Sequence, residues 1–138
     1  MIEASCPLCQ AQNENILWQD AVLRVIRVGD PDYPGFCRVI LNRHVKEMTD
    51  LDSGERARLM QAVFGVEAAL RELLQPDKVN LAALGNQVPH LHWHVIPRFV
   101  DDAHFPDPVW APARRAGRAH AVDEALLVQR IARHLSPD

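Results

Sequence analysis

With 138 residues, 48% hydrophobic and 24% charged, the chain is long enough to bury a globular core and too short for two domains of ordinary size. Its formal net charge of -3 gives no electrostatic reason to expect nucleic acid as the main partner. No apolar run approaches the roughly 20 residues that cross a bilayer, and residues 1–5 form no signal-peptide core. We therefore expect a single cytoplasmic domain that binds neither nucleic acid nor membrane.

The first half of the chain predicts an antiparallel meander. Ile16 to Trp18, Leu23 to Val28 and Phe36 to Leu41 are short segments with the β-branched and aromatic residues typical of strands. Residues 29–35, between the last two segments, are dense in glycine, proline and aspartate, which favour turns. Cys37 is interpreted as a small core residue.

A long helix is predicted from Ser53 to Gln75, because large apolar residues recur there at intervals of three and four. Asp52 and Glu55 have the spacing of a capping box, and Pro76 ends the pattern. A last helix is expected from Asp123 to His134.

Two further strands are expected between these helices. Val79 to Leu84 has the pattern of a buried strand, and residues 85–89 link it to a strand from His90 to about Phe99, so the two should pair as a hairpin. Arg98 is interpreted as a surface charge at the strand end, and the alternative is a contact with a distal phosphate. Residues 101–120 show little periodicity and predict a long ordered loop or an extended tail that crosses the surface. The elements together indicate an α+β fold with one main sheet.

The most informative motif is His90-Leu91-His92-Trp93-His94-Val95-Ile96. Because a strand points successive side chains to opposite faces, His90, His92 and His94 should share one face while the apolar residues anchor the other. Imidazole is a nucleophile, a proton carrier and a metal ligand near neutral pH. The motif therefore indicates catalysis on an electrophile or metal binding, and the alternative is a strand with polar residues on its wet side.

A second motif, Cys6-Pro7-Leu8-Cys9, places two thiols three residues apart. Two thiolates at this spacing can hold one tetrahedral metal ion if two more ligands come from elsewhere in the chain. Three cysteines are too few for a disulfide framework, so the alternative is a pair of free surface thiols.

The histidine motif resembles the His-x-His-x-His-x-x signature of the histidine triad (HIT) superfamily of nucleotide hydrolases and transferases. Residues 80–86, 97–99 and 105–110 are similar to bacterial members described as diadenosine tetraphosphate hydrolase-like. The resemblance implies a HIT-like fold, with the HIT domain over residues 1–110 and a C-terminal tail and helix, residues 111–138, packing on the same domain. It also implies a homodimer, a small nucleotide as substrate and no organic cofactor.

This resemblance assigns the chemistry to the three histidines. His92 would attack the α-phosphorus of a dinucleoside polyphosphate or a nucleoside phosphoramidate, and water or another acceptor would resolve the nucleotidyl-histidine. His94 would contact the phosphate or the leaving group, and His90 would orient the reaction or bind a metal. A neutral imidazole attacks without first losing a proton, which suits this division of roles.

Substrate contacts are expected mainly in the segment before the motif. Gly85 lets the backbone approach a phosphate closely, and Asn86 and Gln87 offer side-chain amides. By resemblance, Asn80 aligns with a phosphate-side asparagine of relatives, and Trp110 covers the site as a tail aromatic does in some of them. A tight turn is the alternative for the two amides, and a packing anchor is the alternative for Trp110.

Within the superfamily, an N-terminal Cys-x-x-Cys is joined by a histidine after the third strand and by the first histidine of the triad. Here these positions are Cys6, Cys9, His44 and His90, which implies a structural zinc site without an open position for substrate. Two other functions stay open at this point. One is a zinc-stabilised nucleotide-binding or interaction module without significant turnover, and the other is a metal hydrolase that uses the three histidines as ligands.

Overall fold

An antiparallel sheet forms the centre of the structure, a computed structural model that describes residues 2–136. Its five strands are β1 (Asn15–Gln19), β2 (Leu23–Arg27), β3 (Cys37–Leu41), β4 (Lys78–Ala82) and β5 (His92–Arg98). The helices are α1 (Pro7–Gln10), α2 (Ser53–Leu74) and α3 (Glu124–Leu135), with a short 3-10 turn at Met48–Asp50. The α+β prediction is confirmed. No helix in the described part of the chain has the length and hydrophobicity needed to span a bilayer.

The strand pairing confirms both predicted β motifs. β1, β2 and β3 pair as an antiparallel meander, and β4 pairs with β5 as a hairpin. The sheet order is β1-β2-β3-β5-β4, so β5 also pairs with β3. This pairing places Arg38 opposite His94 and Ile40 opposite His92. The strand that carries the histidines is therefore held on both sides within the sheet.

The histidine strand begins at His92, two residues later than predicted. The His90 N–H bonds to the Val88 carbonyl in a local turn, at 2.8 Å. The Leu91 N–H bonds to the Val45 carbonyl, also at 2.8 Å, outside the β4–β5 ladder. His90 consequently precedes the regular strand, and its ring lies in different surroundings from those of the other two histidines.

α2 confirms the predicted long helix and its capping box. The Asp52 carboxylate accepts from the Glu55 N–H at 2.8 Å, and the Glu55 carboxylate accepts from the Asp52 N–H at 3.3 Å. The helix ends one residue before the prediction, because Gln75 adopts a left-handed φ of 48° ahead of Pro76. One face of α2 packs on the sheet through buried residues that include Leu59, Val63, Val66 and Leu70.

α3 packs against α2 and β1, close to its predicted span. Leu127, Ile131 and Leu135 join the main core. An ion pair of 2.9 Å between Arg27 and Glu124 ties the first turn of α3 to the meander. The boundary between a domain and a tail at residue 110 stays a prediction.

The sheet face opposite α2 carries a second, smaller apolar cluster of Tyr33, Phe36 and Ile96. Beside it, the interpretation of Arg98 as a surface charge is wrong, since its side chain is only 2% exposed. Arg98 donates to both carboxylate oxygens of Asp102, at 2.8 and 3.1 Å. A buried cation of this kind requires a paired anion, which Asp102 supplies.

Asp102 also orders the loop that follows β5. Its carboxylate accepts from three backbone N–H groups, those of Phe99, His104 and Phe105. The loop then folds back on itself, and Gly117 has a φ of +76° where a Cβ atom would lie 2.5 Å from the Ala103 nitrogen. Only glycine fits such a close approach, and the loop is ordered as predicted.

Candidate active site and metal centre

β5 points His92 and His94 to the sheet face opposite α2. Trp93 and Val95 contact the core under α2, so the residues that alternate with them face the other way. The two imidazole rings lie 5.0 Å apart between centroids and are nearly perpendicular, at 80°. The alternation expected from the motif therefore brings two imidazoles together on one surface.

The hydrogen bond of His92 defines its tautomer. Nδ1 lies 2.6 Å from the backbone carbonyl oxygen of His90, which only accepts, so the ring proton is on Nδ1 and Nε2 carries a lone pair. Burial lowers the pKa of His92; the bond to His90 opposes this, and the Arg38 cation lowers the pKa further. The ring is therefore neutral near pH 7 and presents a nucleophilic nitrogen.

His94 has the opposite tautomer. The Nε–H of Arg38, which only donates, points at Nδ1 of His94 at 3.3 Å, so the ring proton is on Nε2. Burial, followed by the charge of Arg38 and the neighbouring His92, lowers the pKa of His94 to about 4. The Nε2 lone pair of His92 thus lies near the Nε2–H donor of His94. Transfer of a phosphoryl group needs an attacking atom and a donor to the phosphate oxygens, and these two groups can supply them.

A pocket of about 200 Å³ lies beside His92. Its lining includes Met48, Thr49, Leu84 and Gly85. Gly85 has a φ of +73°, in the left-handed region that favours glycine, and so bends the link between β4 and β5 along the pocket wall. Of the predicted substrate residues in this link, Gly85 is the one that reaches the pocket.

The predicted amide residues lie elsewhere. Asn86 and Gln87 are exposed and do not line the pocket. Asn80 is paired with Ile96 across β4 and β5, on the face that carries the histidines. Its Oδ1 accepts a hydrogen bond of 2.8 Å from Nη1 of Arg98. The side-chain oxygen of Asn80 therefore binds the buried Arg98.

Trp110 lies beside the third histidine. Its ring is 5.0 Å from that of His94 between centroids, edge-on at 69°, and the residue is 51% exposed. The ordered loop after β5 thus brings an aromatic side chain to the histidines from a distant part of the sequence.

A larger hollow of about 690 Å³ lies on the α2 and α3 side, lined in part by Arg58, Phe64 and His134. It contains none of the three motif histidines. The smaller pocket is the better candidate because His92, with its free Nε2 lone pair, lines it.

The four predicted metal ligands converge. One donor atom from each of Cys6, Cys9, His44 and His90 lies within 4.8 Å of the others. The two histidine Nδ1 atoms are 3.3 Å apart, and three Sγ to Nδ1 distances are 3.4 to 3.5 Å. A tetrahedral zinc site with Zn–N near 2.0 Å and Zn–S near 2.3 Å has N–N edges of about 3.3 Å and N–S edges of about 3.5 Å. The donors therefore have the spacing of a four-coordinate zinc site.

His90 connects this cluster to the reactive face. Its Nε2 lies 2.6 Å from the Leu41 carbonyl oxygen and so carries the ring proton, which leaves the Nδ1 lone pair facing the cluster. Its own carbonyl holds Nδ1 of His92. The ring and the backbone of one buried residue thus serve two neighbouring sites.

The HIT domain family model matches residues 10–101. The chain belongs to the HIT domain family. A histidine triad protein from Bradyrhizobium japonicum is 30% identical, with a TM-score of 0.71 over 90% of this chain and 92% of that chain. A Zn-bound histidine triad family protein from Mycobacterium smegmatis is 21% identical, with a TM-score of 0.63 over 96% of this chain and 94% of that chain. These likenesses confirm the HIT-like fold.

AP-4-A phosphorylases from two strains of Mycobacterium tuberculosis are 33% identical to this HIT domain over 81 residues. The matched segment is 54% of this chain and 42% of each relative. The chain therefore spans less than half the length of these curated relatives.

Sequence analysis missed two arginines of the HIT domain. Arg38 contacts His94 across the strands. Arg24 lies near the four candidate metal ligands: it donates to the Leu8 carbonyl at 2.7 Å, to Glu14 at 2.6 Å and to Asn42 at 3.2 Å. The available signal was an arginine flanked by apolar residues within each of two strands, since a charged side chain in such a position requires a partner.

The three triad histidines do not form one metal site. Among residues 2–136, the group that could hold an ion contains His90 but neither His92 nor His94. This placement opposes a metal hydrolase in which the triad itself supplies the ligands.

Proposed function

We propose that this HIT domain is a nucleotidyl hydrolase or transferase that cleaves a nucleoside phosphoanhydride or phosphoramidate through a covalent intermediate on His92. The observation that carries the proposal is the opposite tautomers of His92 and His94, with a free Nε2 lone pair beside an N–H donor. Membership of the HIT family and the likeness to AP-4-A phosphorylases support a nucleotide as substrate.

In the first step, the Nε2 lone pair of His92 forms a bond to the α-phosphorus. The bond from phosphorus to the leaving oxygen or nitrogen breaks, and its electron pair departs with that group; an amine leaving group also takes up a proton from solvent. The Nδ1 proton stays on the ring, and the His90 carbonyl stabilises the positive charge that the ring gains. The Nε2–H of His94 donates to a phosphate oxygen on which charge develops.

In the second step, an acceptor oxygen attacks the same phosphorus. The phosphorus–nitrogen bond breaks, and its electrons return to Nε2 of His92. Water as acceptor loses a proton to solvent and yields a nucleoside monophosphate, whereas inorganic phosphate yields a nucleoside diphosphate. The phosphorylase name of the curated relatives makes both acceptors worth testing.

Product analysis tests this function directly. Purified protein is incubated with diadenosine tetraphosphate or adenosine phosphoramidate, with and without inorganic phosphate, and the nucleotides are separated by chromatography. Hydrolysis of the tetraphosphate yields AMP and ATP, and phosphorolysis yields ADP and ATP. Wild-type protein denatured at alkaline pH during turnover should carry an adenylyl group, because the phosphorus–nitrogen bond of the intermediate withstands alkali, and His92→Asn protein should carry none. AMP binding without turnover of either compound would instead support the zinc-stabilised binding module.

For the substrate contacts, we assign Gly85 and Trp110 to direct roles because both lie beside the triad. Asn80 acts through its hydrogen bond with Arg98. Asn86 and Gln87 are exposed on the link between β4 and β5, and we propose that their side-chain amides contact substrate from this link.

We also propose that Cys6, Cys9, His44 and His90 hold a structural zinc ion. The donor spacing and the hydrogen bond that leaves Nδ1 of His90 unprotonated support the assignment. Zinc would supply a cross-link between α1 and the start of the histidine strand, with no open position for substrate.

Finally, we propose a cytoplasmic homodimer, on the strength of the superfamily resemblance. β1 and β4 are the two edge strands of the sheet and leave backbone groups unpaired along each edge. Size-exclusion chromatography with light scattering measures the mass in solution, and a monomer at micromolar concentration would refute the dimer.

A further inference from the structure

Arg38 is a cation beside the triad to which the described chain supplies no anion. It lies on β3 directly opposite His94, so both side chains share the face that carries the reactive histidines. The ion pairs that arginines form with carboxylates between residues 2 and 136 do not include Arg38. Arg38 therefore differs from the buried arginine Arg98, whose charge is balanced by Asp102.

The guanidinium of Arg38 is held in place with part of its donor fork unoccupied. Its Nε–H donates to His94, and the Phe36 ring lies 5.8 Å from its central carbon. Nη1 and Nη2 make no hydrogen bond to any described residue, and both stay accessible to solvent. A half-buried cation without an anion has lost part of its hydration, and no opposite charge among the described residues compensates for that loss. An anionic ligand at this position would supply that compensation.

We infer that Arg38 binds a phosphate oxygen of the nucleotide at the triad, an inference that rests on the proposed function. A guanidinium fork matches the geometry of a phosphate group and strengthens each hydrogen bond by its charge. The Nε contact places this fork beside His94, whose ring lies 5.0 Å from that of His92. Arg38 thus makes the site select an anionic phosphate over an uncharged nucleoside, and it opposes the negative charge that develops on oxygen during transfer.

Three substitutions separate the charge of Arg38 from its contact with His94. Arg38→Met removes both, Arg38→Gln keeps a side-chain N–H donor for His94 without charge, and Arg38→Lys keeps the charge without the planar fork. Arg56→Met is the matched control, because Arg56 is an exposed arginine on α2, on the other side of the sheet. Thermal unfolding of each variant verifies the fold, and Arg38→Gln decides the question if Arg38→Met does not fold.

Isothermal titration with AMP and with adenosine provides the readout. Arg38→Gln and Arg38→Met should weaken AMP binding about 10- to 100-fold, as expected for one lost charge-assisted hydrogen bond. Arg38→Lys should lie between these variants and wild type. Adenosine affinity and the Arg56→Met control should stay within about twofold of wild type, since neither involves the phosphate contact.

Two results would overturn the inference about Arg38. AMP affinity of Arg38→Gln equal to wild type would show that Arg38 only positions His94. An equal loss of AMP and adenosine affinity would show that Arg38 only shapes the pocket. Failure of the proposed function looks different, because the wild-type protein would then consume neither diadenosine tetraphosphate nor adenosine phosphoramidate, whatever residue stands at position 38.

Discussion

His90 and His94 stand four residues apart in one motif, yet their neighbours give them different chemistry. His90 is fully buried. Its Nε2–H donates to the Leu41 carbonyl, and its Nδ1 faces the other three candidate metal ligands. His94 is held at Nδ1 by Arg38 and keeps its Nε2–H for a ligand. The contacts of each ring nitrogen, more than the residue type or the alternation, therefore distinguish the histidine proposed to bind zinc from the one proposed to contact phosphate.

Substitution of His92, which lies between His90 and His94 in the motif, should have the largest effect on activity. His92→Asn removes the attacking nitrogen and should lower kcat/KM for diadenosine tetraphosphate at least about 1,000-fold, as for other nucleophile deletions. Steady-state assays measure the loss, and circular dichroism confirms the fold. His134→Asn is the control, since His134 pairs with Glu72 on the exposed surface of α3. A His92→Asn variant with a tenth of wild-type activity would remove His92 from the mechanism.

Removal of one proposed zinc ligand tests the role assigned to His90. Cys9→Ser should reduce bound zinc from about one ion per chain to almost none, because three ligands do not close a structural site. The free energy of unfolding should fall by about 3 kcal/mol when free zinc is about 100-fold above its Kd. Plasma emission spectrometry measures the metal. Cys37→Ala serves as the control because Cys37 lies in the core, away from the cluster. Equal zinc content in both variants would contradict the assignment.

Substitution of Asp102 tests how the loop after β5, which carries Trp110 to His94, is held in place. Asp102→Asn leaves Arg98 buried without a counter-charge and should cost about 3 kcal/mol of unfolding free energy. Urea denaturation measures this change. Asp107→Asn, which affects the exposed pair with Arg114, should show no measurable change. Equal stability of the two variants would mean that the buried pair does not hold the loop.

The smallest effect concerns the pH dependence of stability. The pKa of His94 is about 4 in the fold and 6.5 ordinarily, so the unfolded chain binds more protons in this window. Stability from this group is therefore complete above about pH 6.5 and is lost as pH falls, by about 2 kcal/mol between pH 7 and pH 5. In His94→Asn protein, the loss of unfolding free energy between pH 7 and pH 5 should be smaller by that amount, as measured by urea denaturation at several pH values. An unchanged slope would show that His94 is protonated as readily in the fold as in the unfolded chain.

Much of the fold was accessible from the sequence because the relevant patterns are local. The apolar periodicity of α2, the capping pair Asp52 and Glu55, and the β4–β5 hairpin all follow from neighbouring residues. The start of β5 was misplaced because the His90 N–H bonds into a turn that alternation does not reveal. Arg98 was misjudged because its partner Asp102 belongs to a loop without a pattern.

The order of the elements, the face on which His92 and His94 lie, and the residue types able to hold zinc were determined by the sequence alone, since alternation and ligand chemistry act over short spacings. Tertiary structure decided which histidine lies at which candidate site. It also placed Arg38 against His94, 56 residues away in the chain. Such contacts depend on the register between β3 and β5, which is set by packing across the whole sheet, so the local sequence does not identify the partner.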